Sequence, residues 1–308
     1  MLAIIAPGQG AQTPGFLSPW LESARVKDLL TWWSAVANLD LIHLGTNADA
    51  DEIRDTANAQ PLIVAAGLVG ALSLFPHPSD AFGKVGVVAG HSVGEFTAAA
   101  GARAITAESA LVLVRERGLA MAAASAATPT GMSAVLGGDR EIVLKKLKEL
   151  ELVAANDNGG GQIVAAGDLS ALAALSENPP EGARVRALAV AGAFHTPFMA
   201  PAVEPLRTLA ATISTAPTTI SVISNKDGEV VKDGAQVLTR IVNQIANPVR
   251  WDLCMETMKK LGITGVIELP PAGTLVGLLK RGAPEIETFA LKSADDVSAA
   301  KEFAGRHA

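Results

Sequence analysis

Gly90-His91-Ser92-Val93-Gly94 fits the pattern G-x-S-x-G, in which a serine is held on a sharp turn from a strand into a helix. The surroundings suit that use. Val85 to Ala89 reads as a buried strand, and Glu95 to Ala100 is a helix-compatible run. A crowded turn needs small neighbours, which the glycines at 90 and 94 provide, and the helix N-terminus behind it favours developing negative charge. A glycine-rich turn with an incidental serine also fits these five residues. The strand before and the helix after favour a nucleophile.

A serine nucleophile needs a base, and the chain offers His43, His77, His91, His195 and His307. His307 is expected to fray at the chain end, and His77 lies between two prolines in a loop. His91 would leave the turn in a different direction from Ser92 and reads as structural. His195, in Gly192-Ala193-Phe194-His195-Thr196-Pro197, falls where an inserted segment returns to the main core, so it would face the cleft between them. A satisfied structural histidine remains the other reading of His195.

Ala110, Val114, Arg117 and Met121 are spaced i, i+4, i+7 and i+11, so Arg117 shares an apolar helix stripe while Arg115 and Glu116 point elsewhere. A guanidinium on a buried face is costly unless an anion meets it. A core carboxylate or a stem reaching to solvent would satisfy it. So would a substrate carboxylate in a bidentate clamp, which guanidinium geometry suits better than an ammonium.

Gly8-Gln9-Gly10-Ala11-Gln12 follows the first strand, where a dinucleotide fingerprint could stand, but Thr13 replaces the third glycine and Pro14 follows. That argues against a nicotinamide cofactor. A tight turn, or a loop lending an N–H to an oxyanion hole, remains.

Apolar runs at Leu2 to Ala6, Val85 to Ala89, Ile220 to Ser224 and Gly265 to Leu269 alternate with helical patterns at Gln60 to Leu74, Ala107 to Ala124 and Gln236 to Ala246. The alternation predicts a parallel sheet covered by helices, with Asn247-Pro248 closing the last helix. The middle differs: strand Met132 to Leu136, helix Arg140 to Leu150, strands Leu152 to Ala155 and Gln162 to Ala166, helix Leu169 to Ser176 and strand Arg184 to Val190. That β-α-β-β-α-β order matches the ferredoxin-like unit. The expected organisation is a core of residues 1–126 and 192–308 with a subdomain of residues 127–191 inserted.

The composition supports a globular chain: 49% of the 308 residues are hydrophobic and 18% charged, which excludes disorder for most of its length. A formal net charge of −6, with no basic run, argues against a nucleic-acid partner. The single cysteine, Cys254, excludes an internal disulfide and a cysteine-based metal site, and reads as a small core residue. The N-terminus lacks the basic region of a signal peptide, and no stretch approaches the ~18 uninterrupted apolar residues of a membrane span. A cytoplasmic protein, with no membrane partner, is expected.

Together, Pro7-Gly8-Gln9-Gly10-Ala11-Gln12, Ala59-Gln60-Pro61, Gly90-His91-Ser92-Val93-Gly94-Glu95, Arg117-Gly118, Ala193-Phe194-His195, Asn247-Pro248-Val249-Arg250-Trp251 and Gly277-Leu278-Leu279-Lys280-Arg281 resemble the malonyl-CoA:acyl-carrier-protein transacylase family of fatty-acid synthesis, which is related to acyltransferase domains of polyketide synthases. The resemblance covers nearly the whole chain and includes the 25-residue spacing from Ser92 to Arg117. It implies an α/β fold, with an α/β-hydrolase-like parallel-sheet core and an inserted ferredoxin-like subdomain. It implies malonyl-CoA and acyl carrier protein as partners, no cofactor or metal, and a monomer.

The same resemblance assigns roles. Ser92 is the nucleophile, His195 its general base and acid, and the N–H groups of Gln9 and Val93 the oxyanion hole. Arg117 holds the malonyl carboxylate, and a main-chain carbonyl near Arg250 orients His195. Gln60 and Asn158 line the cleft, and Phe194 and Val93 resemble malonyl-selective rather than methylmalonyl-selective relatives. The chain departs from the family at Leu269-Pro270-Pro271-Ala272-Gly273, where Gly-Pro-Gly is usual, and at Thr196, where serine is common. The absence of a ketosynthase or carrier segment argues against a synthase module. The alternatives are a malonyl transferase subunit of malonate decarboxylase, a carboxylesterase with an acidic triad member, and an inactive carrier-binding module.

Overall fold

The structure, a computed structural model, describes residues 1–308 apart from the Pro78 side chain. It is a mixed α/β fold with two sheets and, among the described residues, 12 α-helices. The strands are β1 (Leu2–Ala6), β2 (Val85–Gly90), β3 (Thr130–Gly137), β4 (Val153–Asp157), β5 (Gln162–Asp168), β6 (Ala183–Ala187), β7 (Ser221–Ile223), β8 (Val230–Val231), β9 (Val249–Arg250), β10 (Gly265–Glu268) and β11 (Glu287–Ala290).

Both faces of β1 are covered, as its unbroken apolar sequence requires. Leu2, Ile4 and Ala6 enter the main core, whereas Ala3 and Ile5 enter a second cluster with Val266, Trp251 and Leu279 across the sheet. The large sheet runs β11-β10-β1-β2-β7-β8, parallel throughout except for the final β7–β8 pair. Ala6 is in register with Gly90, and Ala89 with Ile223, so the carboxyl ends of β1, β2 and β7 lie side by side. Ligands of open parallel sheets bind outside those ends.

The middle of the chain forms the expected β-α-β-β-α-β order, with helices Arg140–Glu149 and Leu169–Glu177. Its sheet, β6-β3-β5-β4-β9, is antiparallel over the first four strands and has its own core around Val135, Leu147, Ile163 and Leu175. The fifth strand comes from outside residues 127–191: Val249 and Arg250 pair parallel with Asn156 and Asp157.

Two helices bear on readings from sequence. The helix Thr56–Leu74 has the length and mean hydropathy, 1.5, of a membrane span, yet 72% of the relevant window is buried inside the protein. It is a central core helix, started by the Asp55 side chain accepting from Ala57 N–H. His307 is not frayed: it is 8% exposed at the end of helix Val297–His307, with Nδ1 2.9 Å from the Thr264 hydroxyl.

Candidate active site

The turn after β2 is tighter than any side chain at its flanks would permit. A Cβ on Gly90 would overlap the Gly94 carbonyl, and one on Gly94 would overlap the Ala6 carbonyl oxygen. Between them Ser92 has φ +52°, a left-handed conformation that costs a non-glycine residue ~1–3 kcal/mol and persists only where the surroundings enforce it. Asn225, just beyond β7, does so from both ends. Its Oδ1 accepts the Ser92 N–H at 2.8 Å and its Nδ2 donates to the Gly90 carbonyl at 2.7 Å. The Ser92 hydroxyl is thereby presented at the N-terminus of helix Gly94–Gly101.

His195 is 3% exposed and places Nε2 2.7 Å from Ser92 Oγ. Its Nδ1 lies 2.8 Å from the main-chain oxygen of Gln244, so Nδ1 carries the proton and Nε2 is free to accept one. That oxygen also accepts from Asn247 N–H at 3.2 Å, and Pro248 explains why it has room for a second donor. Helix Gly234–Gln244 would continue by pairing the Gln244 carbonyl with the N–H four residues on, and proline has none. The carbonyl at hydrogen-bond distance is that of Gln244, six residues before Arg250, and the main chain of Asn247 also acts on the ring. Arg250 is occupied elsewhere: its Nε and Nη2 grip Asp252 at 2.9 and 2.7 Å. Burial first, and then the Arg117 charge, lowers the His195 pKa to about 3, so the imidazole is neutral at pH 7.

The whole stripe expected on helix Ala107–Ala127 is buried: Ala110, Val114, Arg117 and Met121 are each at most 1% exposed. Among the described residues, no carboxylate touches the Arg117 guanidinium. Its Nη1 donates to Gln60 Oε1 at 2.6 Å, and its Nη2 to Gln244 Oε1 at 3.0 Å and to Ser92 Oγ at 3.4 Å. Its Nε has no partner among the described residues. Burial lowers the pKa to about 10, against which the charge of Glu95 acts. Arg115, on another face, donates to the Ala57 carbonyl at 2.8 Å, the acceptor that Pro61 leaves without its helical N–H.

The remaining residues divide. Gln60 meets Arg117 as described, and Phe194 is buried in the main core. Asn158 is buried and engaged by His91, Oδ1 to Nε2 at 2.9 Å, and His91 also packs edge-on against Trp251. Gln9 sits in the loop after β1, its side chain donating to the Arg54 carbonyl at 3.1 Å. Cys254 is fully buried, and no metal-ligating cluster occurs among the described residues. Thr196, the departure beside His195, caps the turn Pro197–Ala202 through its hydroxyl. At the other departure, the Glu268 carboxylate accepts the N–H groups of Gly273, Leu275 and Val276.

Sequence reasoning missed Gln244, Asn225 and, as more than part of a motif, Glu95. The Glu95 carboxylate is 3% exposed; it accepts from Asn225 N–H at 2.7 Å and Gln244 Nε2 at 2.6 Å. Asn225 was findable as a polar residue at the carboxyl end of a parallel strand. Gln244 acts partly through its main chain, which every residue possesses.

A neutral imidazole and a buried guanidinium both meet the hydroxyl of a strained serine, an arrangement suited to transferring an acyl group that carries a carboxylate. The chain belongs to the acyl transferase domain family, whose description matches residues 5–304. It is 52% identical over 297 residues to the malonyl CoA-acyl carrier protein transacylase of Mycobacterium tuberculosis (strain ATCC 25618 / H37Rv), covering 96% of this chain and 98% of that relative. The crystal structure of MCAT from Mycobacterium tuberculosis superposes with a TM-score of 0.94 at 51% identity, over 97% of this chain and 99% of that one. A malonyl-transacylase solved in complex with its type II PKS acyl-carrier protein gives 0.89 at 27% identity, over 98% and 99%.

Proposed function

We propose that this chain transfers a malonyl group from malonyl-CoA to the phosphopantetheine thiol of an acyl carrier protein through an ester on Ser92. The observation that carries this reading is the convergence on Ser92 Oγ of His195 Nε2 at 2.7 Å and Arg117 Nη2 at 3.4 Å. Ser92 Oγ attacks the thioester carbonyl while its proton passes to His195 Nε2. The oxyanion is held by the N–H groups of Gln9 and Val93. The carbon–sulfur bond breaks, the CoA sulfur takes the proton from His195, and malonyl-Ser92 remains. The carrier thiol then gives its proton to His195 and attacks the ester, and Ser92 Oγ leaves with that proton.

Among the described residues, no carboxylate meets the His195 ring. The carbonyl end of helix Gly234–Gln244 takes that place, supplying partial negative charge to the transient imidazolium. An esterase with an acidic triad member would have a carboxylate there, and would have no use for a buried guanidinium at the serine. A neutral orienting group makes His195 a weaker base, which restrains water as a competing nucleophile.

The same reading treats residues 1–126 and 192–308 as an α/β-hydrolase-like core and 127–191 as a ferredoxin-like subdomain, with Gln60, Asn158 and Phe194 shaping the cleft between them. One chain carries every group named, which supports a monomer, and a lone buried cysteine supports the cytoplasm. Mixing the protein with malonyl-CoA and mapping peptides by mass spectrometry should find the malonyl group on Ser92. An adduct on Cys254, or transfer with no adduct, would overturn the mechanism.

A further inference from the structure

The Glu95 carboxylate hydrogen-bonds neither Ser92 nor His195 nor the Arg117 guanidinium, although the Glu95 N–H donates to the Ser92 carbonyl at 3.1 Å; its two oxygens meet Asn225 N–H and Gln244 Nε2 instead. Its Oε2 accepts from Gln244 Nε2 at 2.6 Å, and the same Nε2 faces Asn225 Oδ1 at 3.1 Å and the Ser92 carbonyl at 3.2 Å. The amide NH2 of Gln244 is thus surrounded by acceptors. Its oxygen is left to point the other way, where it accepts from Arg117 Nη2 at 3.0 Å. An amide reversed in this site would set its NH2 against a guanidinium, donor against donor.

We propose that Glu95 is a positioning residue for acyl selectivity: by accepting from the Gln244 side chain it fixes that amide with its oxygen toward Arg117, and so holds the guanidinium beside Ser92. This rests on the malonyl-transfer reading above and adds to it a residue that never meets the substrate. Glu95 is a carboxylate by necessity. Both its oxygens face donors, Asn225 N–H and Gln244 Nε2, and a side-chain amide has only one acceptor atom to offer them.

The surroundings also make this carboxylate sensitive to protons. Burial raises its pKa to about 7, while the Asn225 N–H, the charge of Arg117, the Gln244 amide and the charge of Arg240 hold it down. Cys254, the other titratable group turned toward it, is a neutral thiol because burial raises its pKa well above the ordinary value. Arg240 is itself paired with Asp227 at 2.6 Å. Protonation of Glu95 converts one acceptor into a donor and so has the same effect on Gln244 as an amide at position 95. His195, with a pKa of about 3, does not titrate in this range.

The test is the ratio of malonyl to acetyl kcat/KM for acylation, measured for the wild type and Glu95→Gln. The ratio is independent of the fraction of enzyme that is folded, so a destabilised variant still reports. In Glu95→Gln the ratio should fall about tenfold, the worth of one hydrogen bond to the clamp, and show no further change with pH. In the wild type it should fall toward the variant's value as pH drops from about 8 to about 6. This second measurement needs no variant to fold. An unchanged ratio in Glu95→Gln, or a wild-type ratio flat across that range, overturns the role of Glu95 while leaving malonyl transfer standing. A wild type that acylates with neither thioester overturns the functional reading and this inference together.

Discussion

Replacing Arg117 by alanine should separate malonyl from acetyl transfer. The guanidinium is 1% exposed, so neither water nor salt screens it, and its Nη2 lies 3.4 Å from the Ser92 hydroxyl, the proposed acyl carrier. A malonyl carboxylate meeting it gains a charge-assisted pair, which acetyl cannot form. Losing one such interaction costs ~1.5–3 kcal/mol, so the malonyl-to-acetyl ratio of kcat/KM should fall roughly 10- to 150-fold. The variant should also lose stability, because Gln60 Oε1 and Gln244 Oε1 are left buried without their donor. Arg115→Ala is the matched control. It strips the donor from the Ala57 carbonyl and should lower the melting temperature while leaving the ratio alone. Steady-state rates with both thioesters, beside a thermal melt, distinguish the two effects. An unchanged ratio in Arg117→Ala would refute the clamp, whatever happens to stability.

His195→Ala should slow acylation by ~10²–10⁴-fold with the fold intact by circular dichroism; a larger loss in His91→Ala, without unfolding, would mean that the base has been misassigned. Asn225→Ala removes the partners of the Ser92 N–H and the Gly90 carbonyl at once, and denaturant unfolding should show a loss of at least ~1–3 kcal/mol. A loss under about 0.5 kcal/mol would mean that something else holds the strained serine.

The legible parts of the fold were those with a period. β1 was read to the residue, the β-α-β-β-α-β order was complete, and the i, i+4, i+7, i+11 stripe correctly turned Arg117 inward. β8 and β9 are two residues each, too short for any alternation to register, and β11 reads Glu-Thr-Phe-Ala, half polar. In the site, the meeting of Ser92 with His195 was legible because the motif singled out the serine and the return of the inserted segment singled out the histidine. The orienting carbonyl was not, since its identity depends on where proline interrupts a helix relative to the histidine. Nor was the Glu95–Gln244 contact, which joins side chains 149 residues apart. A glutamate in the first turn of a helix is ordinarily there for the dipole.

The parallel pairing of β9 with β4 has a mechanical consequence. The chain passes between the two sheets at the start of β3 and after β6, which are neighbours at one edge of the small sheet. Two tethers at one edge make an axle, about which the small sheet could swing. β9 pins the opposite edge, and it does so with the residues that directly follow Asn247-Pro248, the stop at which the Gln244 carbonyl meets both Asn247 N–H and His195. The third attachment therefore removes the swing and ties whatever play remains to the orientation of the base.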